Sequence, residues 1–217
     1  MVYYFVSGFM KNLSFYNLFY IFIFGSVTGY LVEVVYTLIK KGIFINHTAL
    51  VIGPFNIVYG IGAIILSTLL YKYKDDSYMK LFLIGFIGGT VLEYLMSLGM
   101  ECLLGFTAWD YSKKFLNING RISIVYSIYW GILGILWIKL CYPYIIKLIE
   151  KINHNVGKKI IVFLTIFLMF DALLTLSAVH RAKEKDAGIE PSNKYELFLD
   201  NTFNSKYLKN MFNNRWN

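Results

Sequence analysis

An all-α, polytopic transmembrane bundle is the fold class this sequence predicts, and three observations predict it. Hydrophobic residues make up 57% of the 217 residues and charged residues only 16%, more apolar surface than a water-soluble domain of that length can bury. Five apolar runs each approach the roughly 20 residues that a bilayer core of about 30 Å asks of a helix. Two of these runs carry patterns that return later in the chain, as expected of an internal repeat.

The elements follow in order. Residues 1–13, opening with "MVYYFVSGFM", are apolar but too short to span and lack a basic stretch before them, so they read as an interfacial segment rather than a signal peptide. The bundle then occupies 14–180, with spans near Phe15 to Leu38, Leu50 to Tyr71, Met79 to Leu104, Ile122 to Ile146 and Ile160 to Ala178. From 181 to 217 the composition turns polar. There Leu197, Phe198, Phe203, Tyr207, Leu208, Met211 and Phe212 recur among charged residues, predicting one or two amphipathic helices on the membrane or against the bundle. Cys102 and Cys141 fall near opposite ends of successive spans, too far apart for a disulfide.

The repeat pairs spans one and two (about 15–71) with spans three and four (about 79–146). "GSVTGYLVE" places Gly25, Gly29 and Glu33 at the spacing that "GFIGGTVLE" gives Gly85, Gly89 and Glu93, an offset of 60. "GPFNIVYGI" from Gly53 matches "GRISIVYSI" from Gly120 at an offset of 67, which pairs Tyr59 with Tyr126. Each unit holds an even number of spans, so the copies share one orientation about an axis along the membrane normal. Residues four apart on a helix form a stripe, and the two glycines of each stripe admit a close neighbour.

Carboxylates carry the chemistry. An Asp or Glu near mid-span costs about 2.5–3.5 kcal/mol on insertion scales and faces the bundle interior or a wet cavity. Counting from the side that holds the 181–217 tail, the loop face, Glu33, Glu93, Tyr59, Tyr126 and Asp171 fall in one layer about 9–14 Å deep at 1.5 Å per residue. Such a layer suits a small cation, a polar ligand or protons; alternatively its members only satisfy one another. Above it, "FTAWDYSKKFLNINGRI" places Trp109, Asp110, Tyr111, Asn117, Asn119 and Arg121 at the membrane boundary. Arg121 either snorkels outward or turns in toward Glu93 or Asp110. Copy one has Pro54 at that place, a residue suited to a helix start.

Other chemistry is missing from the pattern. No GxxxxGK[ST] loop occurs, so an ATP-driven role needs a separate ATPase subunit. His47, His154 and His180 are isolated, without a second metal ligand at a usable spacing, and read as surface or interfacial residues. No GxSxG or HExxH motif appears, and no cofactor is implied. The net charge of +8 is scattered over loops and tail, which fits anionic lipid headgroups of the bilayer rather than nucleic acid. Lys and Arg near the membrane number eight on each side, which leaves orientation open.

"WDYS" at Trp109 to Ser112, "NINGRI" at Asn117 to Ile122, and Asn46 followed by Gly53, Pro54, Tyr59 and Gly60 resemble the CmpB-type family of ABC-transporter permeases, small bacterial membrane proteins. The resemblance runs from about Gly25 to Pro143. In the first loop His47 and Thr48 stand where the family has Arg and Gly, and Asn56-Ile57 replaces Pro-Ile. It implies a multi-pass, permease-like subunit of the plasma membrane. Two function classes stay open: a transporter subunit, with a homodimer or a partner completing so small a permease, and an intramembrane enzyme on a lipid-linked substrate, using Glu33 or Glu93 as base and Arg121 on a phosphate. A membrane assembly protein without a ligand is the third option.

Overall fold

The computed structural model describes residues 13–105, 107 and 109–211, so the interfacial segment expected over 1–12 lies outside the described residues. Helix α1 (Phe15–Lys41) starts where the Ser14 hydroxyl accepts the Asn17 amide at 3.3 Å and stops at Gly42, whose φ of 68° only glycine adopts freely. α2 is Ile57–Tyr71, and α3 is Tyr78–Leu104, capped by Ser77 and ended by Gly105 at φ 68°. A two-residue ribbon, β1 (Asn117–Ile118) with β2 (Ile122–Ser123), leads into α4 (Ile124–Leu136). A π-helical turn over Trp137–Cys141 joins α4 to α5 (Tyr142–Glu150). Pro143, at the start of α5, has no N–H to donate, and the wider turn before it absorbs the lost bond. α6 (His154–Asp186), α7 (Lys194–Thr202) and α8 (Ser205–Met211) complete the order.

Among the described residues, four helical stretches are long and apolar enough to cross a membrane: α1, α3, α4 through α5, and α6. The protein is an all-α polytopic bundle. The second expected span differs in detail. Instead of a helix from Leu50, the chain is non-helical over 44–56 and helical only over the 15 residues of α2, about 22 Å at 1.5 Å per residue. Pro54 does not start the helix; Asn56 occupies the cap position.

Non-helical backbone packed among apolar helices needs partners for its polar groups, and several of those in the 44–56 segment are supplied by protein. The Thr48 hydroxyl sits 2.9–3.1 Å from the carbonyl oxygens of Leu50, Gly53 and Phe55. The amides of Val51 and Ile52 donate to Thr175 Oγ1 (3.0 Å) and Asp171 Oδ1 (3.1 Å) on α6. The Asn56 amide donates to Ser26 O at 3.1 Å. Asp171, fully buried, is therefore an anchor for this segment.

Both hairpins are antiparallel and glycine-notched. A Cβ on Gly25 would stand 2.6 Å from Ala63 Cβ, 3.0 Å from Tyr59 O and 3.3 Å from Gly60 Cα. One on Gly85 would stand 2.9 Å from Trp130 O, 3.3 Å from Gly134 Cα and 3.4 Å from Gly131 Cα. The packing thus equates Tyr59, Gly60 and Ala63 with Trp130, Gly131 and Gly134, an offset of 71. The expected pairing of Tyr59 with Tyr126, at 67, is one helical turn short. At 71, "YGIGAII" from Tyr59 lies on "WGILGIL" from Trp130, with Gly60/Gly131, Ile61/Ile132 and Ile64/Ile135 identical.

Two cores hold the ends. Away from the loop face, Tyr20, Ile21, Leu66, Leu70, Leu81, Trp137 and Ile145 pack together, with Trp137 Nε1 donating to Ser67 Oγ at 2.9 Å. At the loop face, α7 and α8 pack on α6 through Ala178, Val179, Ala182, Leu199, Leu208 and Met211. Arg181, 2% exposed, locks this unit: Nε and one terminal nitrogen donate to Asp200 at 3.1 Å, and that same nitrogen also donates to Ile189 O at 2.9 Å. The tail helices thus lie against the bundle.

Two outcomes follow. With Cys102 and Cys141 replaced by Ser, single cysteines at Asp75 and Lys151 should react with an impermeant maleimide from one side and those at Lys113 and Lys185 from the other. Labelling of Asp75 and Lys113 from the same side would remove α3 as a crossing helix. Gly85→Val should destabilise the fold by about 1–3 kcal/mol through overpacking, whereas Gly99→Ala, which meets no atom within 4 Å, should raise stability by about 0.5–1 kcal/mol; unfolding titrations in mixed micelles read both.

Candidate functional site

Each hairpin builds one carboxylate site from the same parts. In the first, Gly29 leaves room on α1 for the ring of Tyr59, which occupies the space a Cβ would fill. One turn further along α1, Glu33 Oε1 accepts the short hydrogen bond that the Tyr59 hydroxyl donates. The 44–56 segment adds His47, whose Nδ1 lies 3.9 Å from Glu33 Oε2. Asn56 fixes the segment by donating to His47 O at 2.9 Å. The Glu33 side chain is 31% exposed and that of His47 10%.

In the second, Gly89 seats the indole of Trp130, and one turn on, Glu93 Oε2 accepts from Trp130 Nε1 at 3.3 Å. The loop adds Tyr111, whose hydroxyl donates to Glu93 Oε1 at 3.0 Å. Glu93 is only 6% exposed. Burial pushes the Tyr111 phenol up, and the Glu93 carboxylate adds to the shift, so Tyr111 stays a protonated donor at neutral pH. Tyr126 contributes a surface: its ring stacks on that of Tyr111 with centroids 4.1 Å apart and planes within 10°.

The two sites adjoin. Gly62 of α2 faces the Trp130 indole, whose edge would lie 3.3 Å from a Cβ there, and Tyr59 is within electrostatic range of Tyr111. Tyr59, the donor to Glu33, and Gly62, against which Trp130 lies, are about one turn apart on α2, so the two donor–carboxylate pairs are neighbours. Asp171 is not among them; its Oδ1 is committed to Ile52.

The second loop is an ordered cap. Trp109 Nε1 donates to Arg121 O at 2.7 Å, and the Trp109 ring stacks toward Tyr111 at 6.4 Å. Asp110 accepts from the Ser112 amide (2.8 Å) and hydroxyl (3.0 Å), which hold its carboxyl below the usual carboxylate range. Asn117 Nδ2 donates to Ser112 O and Lys114 O at 3.0 and 2.9 Å, while its Oδ1 accepts the Gly120 amide at 3.1 Å. Asn119, at φ 54°, donates to the Tyr94 hydroxyl at 3.0 Å.

Arg121 pairs with neither Glu93 nor Asp110. Its guanidinium forms a short ion pair with Glu101, donates to Ser97 Oγ at 3.1 Å and lies 5.8 Å over the Tyr94 ring. The turn at Asn119–Gly120 aims the side chain outward along α3, and Glu101 lies two turns beyond Glu93 on that helix. The sequence pattern reads His47 as a surface or interfacial residue, gives Trp130 no role and places Tyr111 at the membrane boundary. The signal for Trp130 was present in the match of "WG" at 130–131 to "YG" at 59–60; for His47 there was none, because only the fold of the 44–56 segment brings it to Glu33.

Among the described residues, no group of three or more His, Cys, Asp or Glu is placed to hold a metal ion. No curated protein and no solved structure matches the chain. The family model described as "Putative ABC-transporter type IV" matches residues 20–176. That stretch holds both glutamates, all three of their aromatic donors, the 44–56 segment and the Trp109–Arg121 cap, and on it the chain belongs to this family of ABC-transporter-type membrane proteins.

Proposed function

We propose that the two carboxylate sites are the substrate site of a permease-like subunit that takes a small cation or polar molecule, or protons, across the plasma membrane. One observation carries the reading. The donors to Glu93 among the described residues are a phenol and an indole, both neutral, although the group is buried between spans. A carboxylate in that setting costs about 2.5–3.5 kcal/mol, and a bound cation or proton offsets the cost that neutral donors leave.

Arg121 bears on the alternative. Enzymatic action on a lipid-linked substrate required it beside the glutamates to hold a phosphate, and its guanidinium is committed to Glu101. Transport is the better-supported class. The chain carries no phosphate-binding loop, so the energy source in this reading is a separate ATPase subunit, and a homodimer is the simplest way for so few spans to enclose a path.

Thermal unfolding of the full chain in nanodiscs, scanned against sodium, potassium, guanidinium and organic ammonium ions, tests the site. A bound cation raises the midpoint saturably by mass action. The shift should vanish in the Glu33→Gln, Glu93→Gln double variant and persist in Arg121→Ala. An unchanged shift in the double variant, or stability indifferent to every cation and to pH, would sink the reading. Separately, Arg121→Ala should speed amide hydrogen exchange across 109–121 while leaving α2 and α4 protected; unchanged exchange there would show that the Glu101 pair does not hold the cap.

A further inference from the structure

The two ends of the bundle answer their charges differently. At the loop face Arg121 pairs with Glu101, and Arg181 and Lys185 pair with Asp200. At the opposite end the Tyr71 ring meets that of Tyr142 at 5.5 Å, which sets the turn between α2 and α3 beside the start of α5. Lys72, Lys74, Lys80 and Lys139, with four more lysines between 147 and 159, face three acids there, Asp75, Asp76 and Glu150. Among the described residues the one ion pair at that end joins Lys80 to Asp76.

Lys139 stands apart from the other seven, which are exposed. It is half-buried, on the π-helical turn of a stretch long and apolar enough to cross the membrane. Its ammonium donates to Lys74 O at 2.5 Å and lies 5.4 Å from the centroid of the Tyr78 ring. Neither partner carries a negative charge, although a lysine on a crossing helix calls for one. Two of its three N–H donors are left for a ligand.

Other positive features converge on the same place. Lys74, whose carbonyl Lys139 binds, holds its own ammonium 5.1 Å from the Tyr71 ring centroid and pairs with no carboxylate among the described residues. Tyr78, beneath the Lys139 ammonium, is the first residue of α3, and the first turn of that 27-residue helix holds no acid. Its unpaired amides add partial positive charge. Next to these residues in the chain, Met79 and Leu140 are 67% and 63% exposed, so apolar surface adjoins the cations. A phosphate attached to hydrocarbon chains matches both. Free phosphate shares the head chemistry but gains nothing from Met79 or Leu140, and a zwitterionic lipid brings its own ammonium among the lysines.

We propose that Lys74, Lys139 and the start of α3 form a seat for the phosphate of an anionic phospholipid, whose acyl chains run along Met79 and Leu140. The seat is independent of the carboxylate sites. A lipid held there bridges the α2–α3 turn and the π-helical joint between α4 and α5, two elements that the Lys139 bond to Lys74 O already ties together.

Native mass spectrometry of the full chain in a neutral detergent, titrated with dioleoylphosphatidylglycerol, reads the affinity for the first lipid bound. It should exceed the affinity for dioleoylphosphatidylcholine by about tenfold or more, and Lys74→Gln and Lys139→Met should each weaken it about fivefold, the worth of one lysine toward an anionic lipid. Lys139→Arg, which keeps the charge, should retain it, as should Lys159→Gln, at the same end but away from the seat. Equal weakening by Lys159→Gln would reduce the seat to diffuse charge. An unchanged affinity in Lys74→Gln would overturn it even where Lys139→Met fails to fold. Phosphatidylcholine bound as tightly would overturn the anionic lipid, and displacement by an equal concentration of glycerophosphate would assign the seat to free phosphate and overturn the lipid as its occupant.

Discussion

A glycine one turn before a glutamate governs this structure. With no Cβ at Gly29 or Gly89, an aromatic ring from the next helix lies directly on the backbone, and its polar edge arrives at the carboxylate one turn on. Helix association in lipid depends on close packing and on hydrogen bonds, since apolar surface is not driven together there. The same small residues that allow the hairpins to pack therefore also solve the problem of the buried acid. Tyr59 and Trp130 are chemically different donors, yet each is placed by a glycine and spent on a glutamate.

The second dependence is on backbone satisfaction. The chain between α1 and α2 leaves the helical path, and Thr48, Asp171 and Thr175 receive or supply hydrogen bonds that its backbone would otherwise lack. The departure brings His47 over Glu33; a continuous helix from Leu50 would have put that residue at the surface. Asp171, which counting along the sequence assigns to the layer of the glutamates, accepts the Ile52 amide with Oδ1, so position along the chain alone does not decide what an acid contacts.

Divergence between the copies concentrates in the loops. Copy one keeps a partly exposed carboxylate under a histidine. Copy two covers its carboxylate with a stacked pair of phenols, and its cap is fastened through Arg121 to Glu101, outside the site. An ion pair at the boundary holds a loop without placing a cation next to Glu93, which leaves the electrostatics of the site to whatever enters it.

Composition and the length of the apolar runs determined the class of the fold, because a bilayer of fixed thickness imposes one helix length and forbids unpaired backbone. The Gly-Gly-Glu spacing likewise determined that each glutamate would stand one turn beyond its second glycine on one stripe of its helix, since helical geometry is nearly constant. Tertiary structure decided the rest. Whether Tyr59 answers to Tyr126 or to Trp130 depends on how two helices slide along each other by one turn, and only the contacts at Gly25 and Gly85 choose. Where Arg121 points depends on a turn that aims it outward along α3. That His47 reaches Glu33 depends on a stretch of chain held out of a helix, by Thr48 within the segment and by Asp171 and Thr175 through bonds to residues more than a hundred positions away, which no local pattern encodes.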